Sequence, residues 1–354
     1  MPVRVVVAPD SFGTTLTAAQ AASAIAEGWS TVRPDDDVVV KPQSDGGPGF
    51  NDCLGGLGVV RTTTVTGPLG VPVQVQWRCD RATAYLECEQ ACGLHLVGAP
   101  QPATALQADS AGLGELIDVA LRSDPVERLV VGLGGSATTD GGRGMLDALG
   151  GPSAAKSRLA RVELVVATDV DNPLNGPSGA AAVFAPQKGA DEQTVALLAE
   201  RLVRAGAEWE ALAGRPVADE AGAGAAGGVG AALFAVGGRR VSGAALVATV
   251  TGLPAASHDA AVVITGEGRL DEQTAAGKVV AAVAAAARPE AEVIALVGEN
   301  ALADPAALRI DRVDSLVDYA GGRDRALAHA GSLLVSLAAR CAANYSSTNR
   351  GNRE

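Results

Sequence analysis

The chain has 354 residues and a formal net charge of −12, and 47% of its residues are hydrophobic although only 3% are aromatic. That length suggests two domains, each with a core of its own built from Ala, Val and Leu in place of rings. The acidic balance repels nucleic acid and anionic membranes, so no nucleic-acid partner is expected, and an anionic substrate must be met by a local group of Arg or Lys.

The N-terminal MPVRVVVAPD lacks the long apolar centre of a signal peptide, and the five cysteines are odd in number and scattered, which together point to a reduced, cytoplasmic protein. Residues 3–8 form a short Val-rich run that ends at Pro9-Asp10. The same design, an apolar run closed by a Gly or Asp turn, recurs at 129–133, 164–168 and 260–264. Such runs predict parallel strands buried on both faces. Ala-rich amphipathic segments at 18–29, 194–212 and 277–287 read as crossover helices, which makes the chain α/β.

Between 59 and 96 the pattern changes to alternation, at 62–66, 71–78 and 83–87 with the turn GPLGVP between the first two, and predicts an antiparallel meander. The uncharged run 221–238 is mostly Ala and Gly, so it reads as a buried loop and helix, with no membrane partner. A strand and helix rhythm returns through 293–297 and 315–317 and closes with a helix over 323–340. The expected organisation is a discontinuous Rossmann-like parallel-sheet domain from 1–59 and 255–340. A mixed α/β domain, 60–254, is inserted into it, and 341–354 form a polar tail.

In open parallel sheets, ligands gather beyond the carboxyl ends of the strands, where Asp10, Asp169, Asp171, Glu267 and Asp271 fall. The stretch TGEGRLDEQTAAGK (265–278) suits phosphate and a divalent cation. Its glycines let backbone N–H groups approach an anion, its carboxylates hold a hard cation, and Arg269 and Lys278 offset phosphate charge. It is not a Walker loop, because Glu272 and Val279 stand where that motif needs Gly and a hydroxyl.

In Ser44-Asp45-Gly46-Gly47 a carboxylate sits beside two permissive glycines, suited to a bound hydroxyl or metal; a plain Asp-Gly turn is the alternative. GLGGSATTDGGRG (132–144) begins at a strand end and runs into a helix near Met145. Its N–H groups, with Ser136 and Thr138, suit an anion, and a tightly packed turn is the alternative. Gly132, Gly134 and Ala137 mimic a dinucleotide fingerprint, but the acid due about twenty residues on is absent, and a nicotinamide reading rests on that match alone.

Asp169 and Asp171 point the same way if strand geometry continues, and would then hold Mg²⁺ or divide into base and metal ligand; an Asx turn into Asn172-Pro173 competes with this. Lys188 is one of four lysines beside 24 arginines, consistent with a compact ammonium or a solvated loop residue. Cys79, Cys88, Cys92 and His95 fit no common zinc spacing.

Taken in order, APDSFGTTLTA, SDGGPG, VTGPLG, GLGGSATTDGGRGML, ATDVDNPLNGPSGAAAVFAPQKGA, AGAGAAGGVG and ITGEGRLDEQTAAGK resemble the bacterial glycerate kinase type-1 family from residue 3 to about residue 300. The resemblance implies ATP-dependent phosphorylation of a hydroxyl of D-glycerate on two α/β domains with the active site between them. It places Asp45, Asp169, Glu267 and Asp271 in the family's acidic motifs, and Ser136, Lys188, Arg269 and Lys278 among its anion contacts. Joined to the residue patterns, it gives an expected site with Asp45, Asp169 and Asp271 as catalytic acids and Asp171 and Glu267 as metal ligands. Asp10, Ser11, Gly46, Gly47, Gly134, Gly135, Ser136, Lys188, Arg269 and Lys278 are its substrate or phosphate contacts.

The expected ligands are Mg²⁺, ATP and a small hydroxy acid, and a homodimer is left open. The chain departs from the family at Gly13, where lysine is usual, at Pro48 and Phe50 in a block that usually reads DGGEGT, at Cys92 in place of serine, and in a shorter span between 149 and 162. Gly13, Pro48 and Phe50 motivate the alternative expectation, a catalytically weakened or inactive relative that binds nucleotide or small acid as a sensor.

Overall fold

The computed structural model describes residues 1–123, 125–275 and 279–345. Its strands, in chain order, are β1 (Arg4–Val7), β2 (Asp37–Val40), β3 (Val59–Thr66), β4 (Pro72–Asp80), β5 (Thr83–Glu87), β6 (Arg128–Gly132) and β7 (Glu163–Ala167). They continue with β8 (Arg239–Val241), β9 (Val262–Thr265), β10 (Arg269–Leu270), β11 (Glu292–Val297), β12 (Glu299–Asn300) and β13 (Arg312–Ser315). Two compact units form. The first comprises Met1–Asp45, Asp52–Leu54 and the described residues from Ala244 onward; the second comprises Gly46–Asn51 and Gly55–Gly243.

The first unit is built on a sheet of order β13-β11-β9-β1-β2 in which every pairing is parallel. Counted within the sheet this is the doubly wound order 2-1-3-4-5, whose winding reverses between β1 and β9. Successive side chains of β1 serve different cores, as the two-residue period of a strand requires. Val5 and Val7 pack with Ile25, Trp29 and Leu334, whereas Val6 packs with Val263, Val280 and Val283.

The helix Ala18–Val32 starts at a reciprocal cap, with Gln20 N donating to Thr17 Oγ1 at 3.2 Å and Thr17 N donating to Gln20 Oε1 at 2.9 Å. It packs so closely on the helix Ala330–Asn344 that a Cβ on Gly28 would lie 2.1 Å from the Val335 carbonyl oxygen.

Three details of this unit differ from expectation. Ser315 ends β13 and caps the helix Leu316–Ala320, its Oγ accepting from Asp318 N at 3.3 Å, so residues 316–317 are helical. The last helical stretch is two helices, Arg323–Ala328 and Ala330–Asn344, separated at His329, whose φ of −129° is not helical. The polar tail expected from Cys341 begins with packed residues, Cys341 and Ala342 being buried and Tyr345 half-buried. Cys341 is fully buried, and the Tyr345 ring lies 5.8 Å from that of Trp29.

The second unit carries a sheet of order β3-β4-β5-β6-β7-β8. Its first two pairings are antiparallel and the rest parallel, so the expected meander and the expected parallel strands join in one mixed sheet. The run 221–238 contributes the buried helix Ala225–Ala235, which opens with left-handed backbone at Ala226, Gly227 and Gly228. Among the described residues no helix is long and apolar enough to cross a membrane.

Candidate functional site

In the first unit, the turns after β1, β2 and β9 carry Asp10, Asp45 and Glu267, and the turns after β1 and β9 flank the winding reversal where doubly wound sheets bind ligands. The turns are knit by backbone. Asp10 N donates to Gly266 O at 2.8 Å, Gly298 N donates to Glu267 O at 2.9 Å, and the Thr265 hydroxyl donates to Ala8 O at 3.0 Å. A Cβ on Gly266 would meet the Leu296 carbonyl oxygen at 1.9 Å, so only glycine lets this turn lie against β11.

The electrostatics of this edge are dominated by its acids. Burial, and then the charges of Asp45 and Glu267, push the Asp10 carboxyl up to about 8, against the lowering effect of its bond from Ser11 N at 2.6 Å. Glu267 Oε1 accepts from the Thr274 hydroxyl at 2.6 Å, and Thr274 Oγ1 in turn accepts from Asp271 N at 3.3 Å. Arg269 lies 3.6 Å from Asp271 Oδ2 and 3.5 Å from Glu299 Oε2, the latter shared with Arg323 at 3.2 Å. Lys278 lies outside the described residues.

The Asp10 environment sets a pH dependence whose sign is fixed. A carboxyl raised from 3.8 to about 8 makes the folded state hold an extra proton between those values, so stability present below about pH 4 is lost as the pH rises toward 8. Asp10→Asn removes this titration. Thermal melts at pH 5 and pH 8 should show a smaller loss of Tm on going to pH 8 in the variant than in the parent protein; equal losses would exclude the effect.

In the second unit, the segment Gly46–Asn51 lies on the carboxyl edge of the sheet. A Cβ on Gly46 would meet Ala167 O at 2.6 Å, and one on Gly134 would meet Gly47 Cα at 2.4 Å, so close backbone packing accounts for Gly46 and Gly134. Buried Glu87, the last residue of β5, accepts from Gly49 N at 2.7 Å and from Asn51 N at 3.1 Å and holds the segment in place. Phe50 is a core residue, its ring 6.4 Å from that of Tyr85, and a Cβ on Gly135 would lie 2.9 Å from Pro48.

The loop after β6 is organised by Asp140, which sequence reasoning missed. Its carboxylate accepts from Ser110 N at 3.0 Å, Ser110 Oγ at 2.7 Å, Gly142 N at 3.0 Å and Gly144 N at 3.0 Å, while Met145 N donates to Ser110 Oγ at 3.0 Å. The N–H groups expected to hold an external anion at the start of the helix Arg143–Ala148 are therefore taken by the chain's own carboxylate and hydroxyl. The available signal was an Asp just before a Gly-rich helix start, which is the composition of a cap.

Buried Lys188 donates to Ser136 Oγ at 3.2 Å and to Thr138 O at 2.6 Å, and burial lowers it to about 8 against the opposing charges of its neighbours, Asp140 among them. The expected alternation of Asp169 and Asp171 does not arise, because β7 ends at Ala167. Asp171 is exposed and ion-paired, its Oδ1 2.6 Å from Arg240 Nη2. Among the described residues no group of three or more His, Cys, Asp or Glu is arranged as a metal cage. The five cysteines are buried and none forms a disulfide among the described residues, and His95 Nδ1 lies 3.0 Å from Glu89 Oε1.

Comparison with known proteins gives these geometries a family. The sequence model of the Glycerate kinase family matches residues 5–154 and 151–346. The chain belongs to the glycerate kinase family. It is 39% identical to a glycerate kinase of Halalkalibacterium halodurans, over 98% of this chain and 99% of that protein. It is also 39% identical to a glycerate 2-kinase of Escherichia coli over 81% and 82% of the two chains. An uncharacterized protein of Mycobacterium bovis is 54% identical over 96% of this chain and 91% of its own.

The crystal structure of a candidate glycerate kinase 2 from Salmonella typhimurium LT2 superposes with a TM-score of 0.76 at 35% identity, covering 97% of this chain and 98% of that one. As a member of the glycerate kinase family the chain is a phosphotransferase with an alcohol group as acceptor, on the α/β fold expected for it.

Proposed function

We propose that this glycerate kinase-family enzyme transfers the γ-phosphoryl group of ATP to a hydroxyl of a small hydroxy acid, with D-glycerate as the favoured acceptor. The observation that carries the reading is the trio Asp10, Asp45 and Glu267 on the carboxyl edge of the first unit's sheet, with Asp10 and Glu267 flanking its winding reversal and Asp10 raised to about 8 by burial and its acidic neighbours. The names of the relatives supply the acceptor, and five buried cysteines outside any disulfide suit a cytoplasmic location.

The trio fits Mg²⁺ in donor chemistry, being hard carboxylate oxygens at a point of surplus negative charge. It also fits in number, since Mg²⁺ in phosphoryl-transfer sites is held by one or two carboxylates, waters and substrate phosphates rather than by a complete protein cage. Asp10 and Glu267 are assigned to the ion, which when bound neutralises phosphate oxygens. Asp45 is assigned to the proton of the acceptor hydroxyl.

Arg269 is assigned to phosphate charge, with Asp271, 3.6 Å from its Nε, as its positioning partner. In the second unit Lys188 and Ser136, hydrogen-bonded to each other, are assigned to an anion, and Asp169 keeps a catalytic assignment. Asp171 receives no metal role, because Arg240 already neutralises it.

The test is a coupled ADP-release assay with Mg-ATP over a panel of small hydroxy acids. Turnover of roughly 1–100 per second on D-glycerate or a close relative is the expected result; no ATP turnover with any acid removes the reading. A second reading, a binding protein without turnover, is motivated by Gly13. Its φ of +56° is a conformation that lysine adopts only under strain. Thermal stabilisation by ATP or glycerate without turnover would favour it.

A further inference from the structure

A cavity of about 60 Å³ lies beside the carboxyl trio within the first unit, bounded by segments that follow β1, β9, β11 and β13. Its wall is apolar, formed by Phe12, Leu316, Val317 and Ala326, with Leu327 and the Glu299–Arg323 ion pair also lining it. Phe12 is fixed, since its N–H donates to Leu16 O at 2.8 Å and its ring end would lie 3.3 Å from a Cβ on Gly266. Leu327 is 52% exposed, a large apolar side chain left half in water at this place.

The phosphoryl chemistry and the small acid leave this wall without a role. A charged three-carbon acid gains nothing from apolar surroundings and loses hydration there. At roughly 15 Å³ of such space per water, the cavity has room for about four waters, which suits one flat ring system and excludes a whole nucleotide. Phe12 is two residues from Asp10, and Gly268, also in the lining, adjoins Glu267. A ligand with its ring in the cavity therefore has its polar remainder directed along the turns that bear the carboxylates.

We propose that this cavity is the base subsite of the nucleotide. The heteroaromatic ring lies on the Phe12, Leu316 and Val317 wall, with the planar Arg323 guanidinium available to its π-face and the phosphates outside, toward Asp10 and Glu267. The inference rests on the nucleotide-dependent reading above but is tested separately from it.

The experiment uses two variants of the full chain. Ala326→Phe fills the cavity, and Leu327→Asp places a carboxylate beside it at an exposed position that the fold does not need. Binding of Mg-ADP and of Mg-pyrophosphate is measured by calorimetry, and KM for ATP and for the acceptor acid by initial rates. Expected results are at least a ten-fold weakening of ADP binding and a matching rise in KM for ATP, with pyrophosphate affinity and KM for the acid within two-fold.

Unchanged ADP affinity in both variants overturns the subsite, as does a parent protein that binds ADP no better than pyrophosphate. Should Ala326→Phe fail to fold, Leu327→Asp alone decides. A parent protein that binds ADP in this pattern but turns over no acid leaves the subsite standing while removing the kinase reading.

Discussion

Asp45→Asn is expected to lower kcat/KM for the acceptor acid by roughly 10²–10⁴-fold, the range associated with loss of a positioned general base. The substitution keeps shape and removes only charge and basicity, so a loss below about ten-fold would exclude Asp45 as the proton acceptor. A second readout separates this from simple damage. After burial, the charge of Asp45 is the largest contributor to the raised Asp10 carboxyl, so neutralising it lets Asp10 ionise at lower pH. The acid limb of the residual activity, if set by ionisation of Asp10 as the proposed metal ligand, should therefore move to lower pH in the variant. A pH–rate profile from pH 5.5 to 9 with saturating Mg-ATP measures both effects, and an unmoved limb would break the assigned link between Asp45 and Asp10.

Asp140→Ala is expected to destabilise the protein by about 3–5 kcal/mol, a large part of the roughly 5–15 kcal/mol available to a folded domain. Four donors converge on this buried carboxylate, two from Ser110 and one each from Gly142 and Gly144, and its removal leaves them without a partner inside the protein. Asp140→Asn should recover only part of the loss, because its amide nitrogen presents hydrogens to groups that are themselves donors. Denaturant titration of the parent and both variants gives the order directly. A penalty under about 1 kcal/mol for Asp140→Ala would mean that water or a neighbouring acceptor replaces the carboxylate.

The sequence makes some of this legible and hides the rest for physical reasons. The parallel strands at 3–8, 129–133, 164–168 and 260–264 could be read because burial on both faces leaves an uninterrupted apolar run, and the meander because one-sided burial leaves alternation. Residues 316–317 were misplaced because Ser315, which both ends a strand and caps a helix, satisfies both patterns.

Glu87 and Asp140 escaped notice because their partners include backbone N–H groups about 30 to 40 residues away, and no local spacing encodes such a bond. The same distance hides the pairing of Asp171 with Arg240 across 69 positions, which turns a supposed ligand into half of a surface ion pair. The acids of the first unit were visible as residues at strand ends, whereas the rise in Asp10 needs three turns that only the 2-1-3-4-5 winding brings to one edge.

The intimate crossing of the helices Ala18–Val32 and Ala330–Asn344 at Gly28 has a consequence for biosynthesis. Ile25 and Trp29 leave the ribosome hundreds of residues before Leu334 and Leu337, the side chains that shield them from water. The other unit, drawn almost entirely from an uninterrupted stretch, has all its partners at hand far sooner. Any transcript cut short before the closing helix would release a polypeptide with its early segment still oily and unsatisfied, a natural target for chaperones and proteases.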